Sequence, residues 1–181
     1  MKYTKRFLIL LLCLAFLTGC QQKEEKEAVV CDGCFADNLY ETEQEFLDKR
    51  AENIREGVLE QTTILRPIPQ SDEFSLYHVA EPYSLNGSYR YEYLIGGEAV
   101  QIRFNCNKDS FNSYLKNFKS SIGEYETYVW KGDALYSEED NAWVINYDGH
   151  MVFFDLPESI TVENAKELEA YFTIEAYSVT Q

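Results

Sequence analysis

Two short turns containing glycine divide alternating apolar segments of the chain into hairpins. Gly96-Gly97 separates residues 89–95 from residues 98–105, and a two-residue turn of this kind needs the positive φ angles that glycine adopts freely. Folding about that turn puts an apolar and a polar set of side chains on opposite faces. The apolar pairs are Tyr93 with Val100, Tyr91 with Ile102 and Tyr89 with Phe104, and the polar pairs are Glu92 with Gln101 and Arg90 with Arg103.

A second hairpin is predicted about the turn Asp148-Gly149, between residues 141–147 and 150–156. On one face Ile145 lies opposite Val152 and Trp143 opposite Phe154, while Val144 and Phe153 make the other face apolar as well. A strand that is apolar on both faces is buried on both, so this hairpin is expected near the centre of a sheet.

Three segments carry apolar residues at helical spacing. The first spans residues 39–61 with Asp37 or Asn38 as its cap, and the second spans 109–122, between a capping Asp109 and Gly123. The third follows Pro157, with Ser159 or Thr161 as its cap, and runs to residue 172. Their apolar stripes are Leu47, Ala51, Ile54 and Val58; Phe111, Tyr114, Leu115, Phe118 and Ile122; and Val162, Ala165, Leu168 and Phe172.

The order of these elements predicts an α+β fold. Further strands are expected at residues 73–80, 124–131 and 134–137, and the two prolines of Arg66-Pro67-Ile68-Pro69 predict an extended connection. We therefore expect an antiparallel sheet of about five to seven strands with helices packed mainly on one face. A hairpin followed by a helix occurs at 89–122 and again at 141–172, which leaves open a ββα pseudo-repeat.

The first twenty residues have the composition of an export signal. Lys2, Lys5 and Arg6 precede an apolar run at residues 7–17, which is too short to span a bilayer, since that takes roughly 20 residues. The run ends in Leu17-Thr18-Gly19-Cys20, which resembles the lipobox of bacterial lipoproteins. The resemblance implies that residues 1–19 are removed as a signal peptide and that Cys20 carries a lipid, which attaches the protein to a membrane.

The signal divides the chain into three parts. Residues 1–19 form the signal, residues 20–38 form a polar tether that begins at the lipidated cysteine, and residues 39–181 form a single domain. The expected location is the extracytoplasmic face of the cell membrane, or the outer membrane in a cell that has two membranes. The formal net charge of −15 becomes −18 without the three basic residues of the signal, and such a charge argues against a nucleic-acid partner.

The tether contains the pair Cys31-Asp32-Gly33-Cys34, for which three uses remain open. Two thiols at this spacing can form a structural disulfide, act in redox chemistry or supply half of a zinc site. The acidic residues around the pair disfavour a reactive thiolate. The remaining zinc-ligand types, Cys106, His78 and His150, are scattered singly, and we interpret both histidines as surface residues of strands. We therefore favour a structural pair and expect no bound metal.

The sequence contains no catalytic or cofactor motif that we can identify, and we expect no cofactor. The acidic run at 138–141 lacks the spacing of a calcium loop and is interpreted as a solvated turn. The aromatic residues least easily assigned to an apolar stripe form our candidate binding surface, because tyrosine and tryptophan commonly anchor such surfaces. They are Tyr83, Tyr125, Tyr128, Trp130 and Tyr136.

Two functions follow as hypotheses. The first is a non-catalytic binding or accessory role at the cell envelope, with a peptide, a wall glycan or another protein as partner. The second is a thiol-active envelope protein that uses Cys31 and Cys34. The absence of a histidine-based site from the sequence favours the first hypothesis.

Overall fold

A computed structural model describes residues 37–82, 88–105 and 128–179 of the chain. All of them belong to one compact unit that extends from Phe35 to Gln181. The signal, Cys20, the Cys31 and Cys34 pair, Tyr83, Cys106, the helix expected at 109–122 and Tyr125 lie outside the described residues. Among the helices in the described ranges, none has the length and apolar composition needed to cross a membrane.

The described residues form ten strands, one α-helix and one 3₁₀ helix. In chain order the first elements are β1 (Asp37–Tyr40), α1 (Glu43–Arg55), β2 (Thr63–Pro69), β3 (Ser75–Pro82), β4 (Tyr89–Ile95) and β5 (Glu98–Asn105). They are followed by β6 (Tyr128–Lys131), β7 (Ala134–Ser137), β8 (Ala142–Tyr147), β9 (His150–Asp155), the 3₁₀ helix (Ala165–Ala170) and β10 (Phe172–Ser178).

Both predicted hairpins are confirmed with their registers. In β4 and β5, Tyr91 pairs with Ile102, and all four other predicted pairs are also present. In β8 and β9, Trp143 pairs with Phe154 and Ile145 with Val152. Gly96 and Gly97 have φ angles of 58° and 90°, and Asp148 and Gly149 have φ angles of 50° and 84°, as a tight hairpin turn requires.

The strands form a larger and a smaller sheet. Eight strands form an antiparallel sheet in the order β1-β3-β4-β5-β9-β8-β7-β6, which exceeds the predicted five to seven. As expected, the β8–β9 hairpin lies in its interior. The remaining two strands, β2 and β10, pair only with each other and form a separate antiparallel ribbon.

The prolines at 67 and 69 belong to a strand and not to a simple connection. Pro67 pairs with Ile174 and Pro69 with Phe172 in the ribbon. Leu65, in the same alternating set of β2, donates its N–H to the hydroxyl of Tyr89 at 2.7 Å and not to β10. The prolines thus occupy positions at which the ladder requires no N–H donor, so β2 tolerates both of them.

The first helix is shorter than predicted and begins later. Asp37 and Asn38 belong to β1, and the cap is Thr42, whose hydroxyl accepts the N–H of Glu45 while the Glu45 carboxylate accepts the N–H of Thr42. This reciprocal arrangement is a capping box. The helix ends at Arg55, which leaves Val58 outside it and 53% exposed.

The prediction of a helix that ends at residue 172 is wrong. Residues 165–170 form a 3₁₀ helix whose preceding residue is Asn164, and Phe172 begins β10. Phe172, Thr173, Ile174 and Tyr177 are good strand formers, and β2 offers them a partner. Val162 and Leu168 are buried as expected, although neither lies in an α-helix. The second ββα unit is therefore absent, and no repeat follows from it.

The sheet has one face that carries most of the core. We call this the inner face, defined by Tyr89, Tyr91 and Tyr93, and the opposite one the outer face, defined by Arg90 and Glu92. On the inner face Phe46 of α1 packs against the rings of Tyr89 and Tyr91, with centroids 5.3 and 6.1 Å apart. The ribbon meets the same face, since the hydroxyl of Tyr93 donates to the carbonyl of Pro67 at 3.0 Å.

Candidate ligand-binding groove

The strand β6 forms one edge of the large sheet and carries exposed apolar side chains. Val129 is 56% exposed and Trp130 is 46% exposed, although residues of this size are usually covered. The strand turns into β7 through Gly132, which has a φ angle of 72°. The sheet edge at β6 thus exposes one aliphatic and one aromatic side chain.

Of the predicted aromatic residues, the three that the structure describes lie on two different faces of the sheet. Trp130 pairs with Leu135 and Tyr128 with Ser137 on the outer face, whereas Tyr136 belongs to the alternate set on the inner face. Tyr128 is half-buried and packs beside a small buried cluster of Leu135, Val144 and Met151. Tyr83 and Tyr125 lie outside the described residues.

Tyr136 is part of a packed group on the inner face. Its ring lies 4.6 Å from that of Trp143, and the ammonium of Lys131 lies 4.4 Å from the Tyr136 ring and 5.2 Å from the Trp143 ring. Trp143 is fully buried and pairs with Phe154 across the β8–β9 hairpin. Through Trp143, this group lies next to Phe154 on the inner face of the sheet.

A groove of about 680 Å³ lies on the inner face, between the end of the sheet that contains β7 and β8 and the wall formed by the 3₁₀ helix and β10. This volume falls within the range of roughly 300–1,000 Å³ that is usual for ligand pockets. Its floor and walls are apolar and comprise Ala134, Ile145, Phe154, Ala165, Leu168, Phe172 and Ile174. Its polar side chains are those of Asp133, Asn146, Tyr147, Lys166, Glu169 and Thr173.

Two hydrogen bonds fix β10 as the wall of this groove. The hydroxyl of Tyr147 in β8 donates to the carbonyl of Ile174 at 2.9 Å, which joins the sheet to the wall. At the start of β10, Gln70 donates its side-chain amide to the hydroxyl of Thr173 at 3.0 Å. Both hydrogen bonds act on neighbouring residues at the start of β10, and each comes from a residue distant in the chain.

Asn141 positions the segment that leads to the wall. Its backbone has a φ angle of 47°, and its side-chain amide donates to the carbonyls of Leu156, Pro157 and Ile160 at 3.3, 3.0 and 3.0 Å. In the same turn, the hydroxyl of Ser137 donates to Asp140 at 2.9 Å. The acidic turn at 138–141 thus has a structural role, mainly through the hydrogen bonds of Asn141.

The two histidines lie in different strands of the large sheet. His78 has only 11% of its side chain exposed, contrary to the predicted surface position, and its Nε2 lies 3.6 Å from Oε2 of Glu92. His150 is half-buried at the start of β9, in a different strand. Within residues 37–82, 88–105 and 128–179, no group of three or more His, Cys, Asp or Glu side chains is placed to hold a metal ion.

The tyrosine hydroxyls of the inner face connect structural elements through hydrogen bonds. Tyr91 donates to Oε1 of Glu43 at 2.9 Å, and burial, followed by the charge of Glu43, raises the pKa of Tyr91 well above its usual range. Burial likewise raises the pKa of Tyr93. Arg66 binds the same Glu43 carboxylate through two hydrogen bonds of 2.7 and 2.6 Å. This cluster joins α1, the ribbon and the sheet.

The groove is not predicted by the sequence pattern, because its lining comes from separate parts of the chain. Among the predicted surface residues, Tyr136 contacts Trp143, which pairs with the lining residue Phe154. The available signal was the run Phe172-Thr173-Ile174, whose residues favour a strand, but their helical spacing with Leu168 hid it. Comparison of the chain with protein-family models, curated proteins and solved structures gave no match.

Proposed function

We propose that this protein is an exported binding or accessory protein of the cell envelope, anchored through a lipid on Cys20, and that its groove holds the ligand. The observation that carries the binding role is the groove itself. An apolar floor fixed by the sheet combines with a small set of polar side chains at the rim, which is the usual composition of a ligand site. Support for the anchor comes from the lipobox-like sequence Leu17-Thr18-Gly19-Cys20.

The proposed location is the extracytoplasmic side of a membrane, either the cytoplasmic membrane or the outer membrane of a two-membrane cell. The negative charge of the chain supports partners other than nucleic acid, because like charges repel. We also propose that the helices pack mainly on one face of the sheet. The contact of Phe46 in α1 with the inner face supports this arrangement.

The lipid anchor is tested by metabolic labelling with an alkyne fatty acid in a bacterial host. We expect the wild-type protein to be labelled, and Cys20→Ala to be unlabelled and to keep its signal. Cys13→Ala is the matched control, since this cysteine lies inside the signal and its loss leaves labelling intact. An unlabelled wild type, or a labelled Cys20→Ala, contradicts the anchor.

The groove is tested with the full chain in neutral detergent, by recording amide NMR spectra while a digest of envelope wall fragments and peptides is added. We expect shifts at Tyr147, Leu168 and Ile174 in the wild type. Ala165→Trp fills the groove and should abolish these shifts. Ala99→Trp, at an exposed position near the β4–β5 turn, is the matched control and should keep them. Unchanged spectra, or shifts confined to other regions, contradict the proposed site.

A further inference from the structure

The strand β10 has one edge paired with β2 and one edge that faces away from it. Leu65 donates its N–H to Tyr89 at 2.7 Å, so Leu65 and Ala176 do not exchange hydrogen bonds across the ribbon. Pro67, opposite Ile174, has no N–H to donate. Because hydrogen-bonded and non-hydrogen-bonded pairs alternate, the main-chain groups of Ile174 and Ala176 point away from β2.

This outward edge of β10 borders the groove. Ile174 lines the groove, and its carbonyl accepts the hydroxyl of Tyr147 at 2.9 Å. That hydroxyl satisfies one of the two lone pairs of the Ile174 carbonyl. No other strand of the described residues pairs with this edge. Ala176, further along, is exposed to solvent.

We propose that the groove takes an extended polypeptide segment that adds as a strand to the outward edge of β10. The proposal rests on the proposed function and specifies the class of ligand. An unpaired strand edge has main-chain donors and acceptors in an order that only another extended polypeptide can match, whereas a glycan or a small apolar molecule leaves them unmatched. The apolar floor then receives every second side chain of the segment.

The charges at the rim define the other side chains of the segment. Asp133 and Glu169 contribute two carboxylates against one ammonium from Lys166, and the chain as a whole carries a net charge of −15. Such a surface attracts cations and repels anions. The segment therefore alternates apolar residues, directed at Phe154 and Leu168, with basic residues, directed at the rim.

The test uses a short fluorescein-labelled peptide in which lysine and valine alternate, with fluorescence anisotropy as the measurement and the full chain in neutral detergent. Two further peptides carry N-methyl groups on all valine amides or on all lysine amides. The amides of alternate residues in a strand point to opposite sides, so only one set can bond to β10. We expect one methylated peptide to lose at least about tenfold in affinity and the other to bind like the parent.

Two protein variants and one acidic peptide complete the test. Ala165→Trp, which fills the groove, should abolish binding, and the exposed Ala99→Trp should bind like the wild type. A peptide in which glutamate and valine alternate should bind at least about tenfold more weakly than the lysine peptide. Circular dichroism establishes that each variant is folded, and micelles without protein give the background.

Each other outcome overturns the inference. Equal effects of both methylations, or binding that survives Ala165→Trp, exclude strand addition in the groove. Dimerisation of the protein that Ala165→Trp abolishes identifies a second copy as the occupant instead. If the peptide fails to bind while wall fragments still shift the amides of Leu168 and Ile174, the peptide inference falls and the proposed function stands. If neither binds, both fall.

Discussion

Arg50 and Glu81 place opposite charges inside the core. Both side chains are fully buried, and Nη2 of Arg50 lies 2.7 Å from Oε1 of Glu81. The guanidinium lies 4.7 Å from the Tyr89 ring and 5.2 Å from the Phe46 ring, so it is also held by aromatic faces. Nε and Nη1 of Arg50 have no hydrogen-bond partner among the described residues. Burying these two charges costs free energy, and the interaction between Arg50 and Glu81 offsets that cost only while both side chains are present.

Removing one member of this pair should destabilise the protein more than removing both. Arg50→Met leaves Glu81 buried without a counter-charge, and we expect a loss of about 3–5 kcal/mol in the free energy of unfolding. The double change Arg50→Met with Glu81→Leu should recover much of that loss. Urea unfolding measures both. A double variant as unstable as the single variant would contradict this account.

The ionisation of Tyr40 should make the free energy of unfolding depend on pH in the alkaline range. Burial, then the negative charge of Glu81, and then the hydrogen bond that Tyr40 donates to Glu81, raise the pKa of Tyr40 from 10.0 to about 12. Because the folded state holds the proton more tightly, the stabilisation is complete below pH 10.0 and is lost as the pH rises to about 12.

The test is the free energy of unfolding of the wild type and of Tyr40→Phe across that interval. The variant should lose less stability than the wild type as the pH rises, since it has no hydroxyl to ionise. Tyr177→Phe is the control, because that ring packs 4.9 Å from the Arg66 guanidinium. Parallel pH curves for wild type and Tyr40→Phe would show that Tyr40 is not responsible.

At the scale of elements, the sequence correctly predicted those that are determined by residues close together in the chain. The β4–β5 and β8–β9 hairpins follow from their turn residues and from the alternation of side chains about them. The start of α1 was wrong because several polar residues could cap it, and the capping box of Thr42 and Glu45 prevailed over Asp37 and Asn38.

The elements that were predicted wrongly depend on strands that are distant in the chain. The spacing of Leu168 and Phe172 fits a helix, yet Phe172 lies in β10 because β2 is available to it. The strand character of Pro67 and Pro69 depends on the same pairing. The groove depends on all of these, so its lining could not be found from local pattern.

Leu168 tests whether the 3₁₀ segment is a stable wall. Its side chain is 2% exposed and lines the groove, so Leu168→Ala should cost about 2–5 kcal/mol, as buried large-to-small changes do. Lys166→Ala, at an exposed neighbouring position, should change stability by less than about 0.5 kcal/mol. Denaturant unfolding compares the two. Equal, near-zero costs would mean that the segment does not pack on the sheet as described.

At the scale of the whole molecule, the large sheet ends in two short strands. The edge strands β1 and β6 have four residues each, and β6 ends in the exposed Lys131. Short edges and a charged edge residue both discourage pairing between sheets of different molecules. The net charge of −15 acts in the same direction, because copies of the protein repel each other.

The cysteine pair should be dispensable for folding and for groove binding. Cys31 and Cys34 lie outside the described residues, and the acidic residues around them disfavour a reactive thiolate, so changing both to Ser should leave the melting temperature and the NMR response to envelope digest unchanged. Thiol reactivity of the reduced wild type against pH checks the same point. A reactivity midpoint well below about pH 7 would favour the thiol-active alternative.

The ribbon joins parts of the chain that are made at very different times. Gln70 and Thr173, which meet at its end, are 103 positions apart, and β10 is synthesised after every other described strand. The large sheet has all its described strands once Asp155 is made, but its groove has no wall until Ser178 follows. A chain that ends before β10 therefore has the floor of the groove but lacks one of its walls.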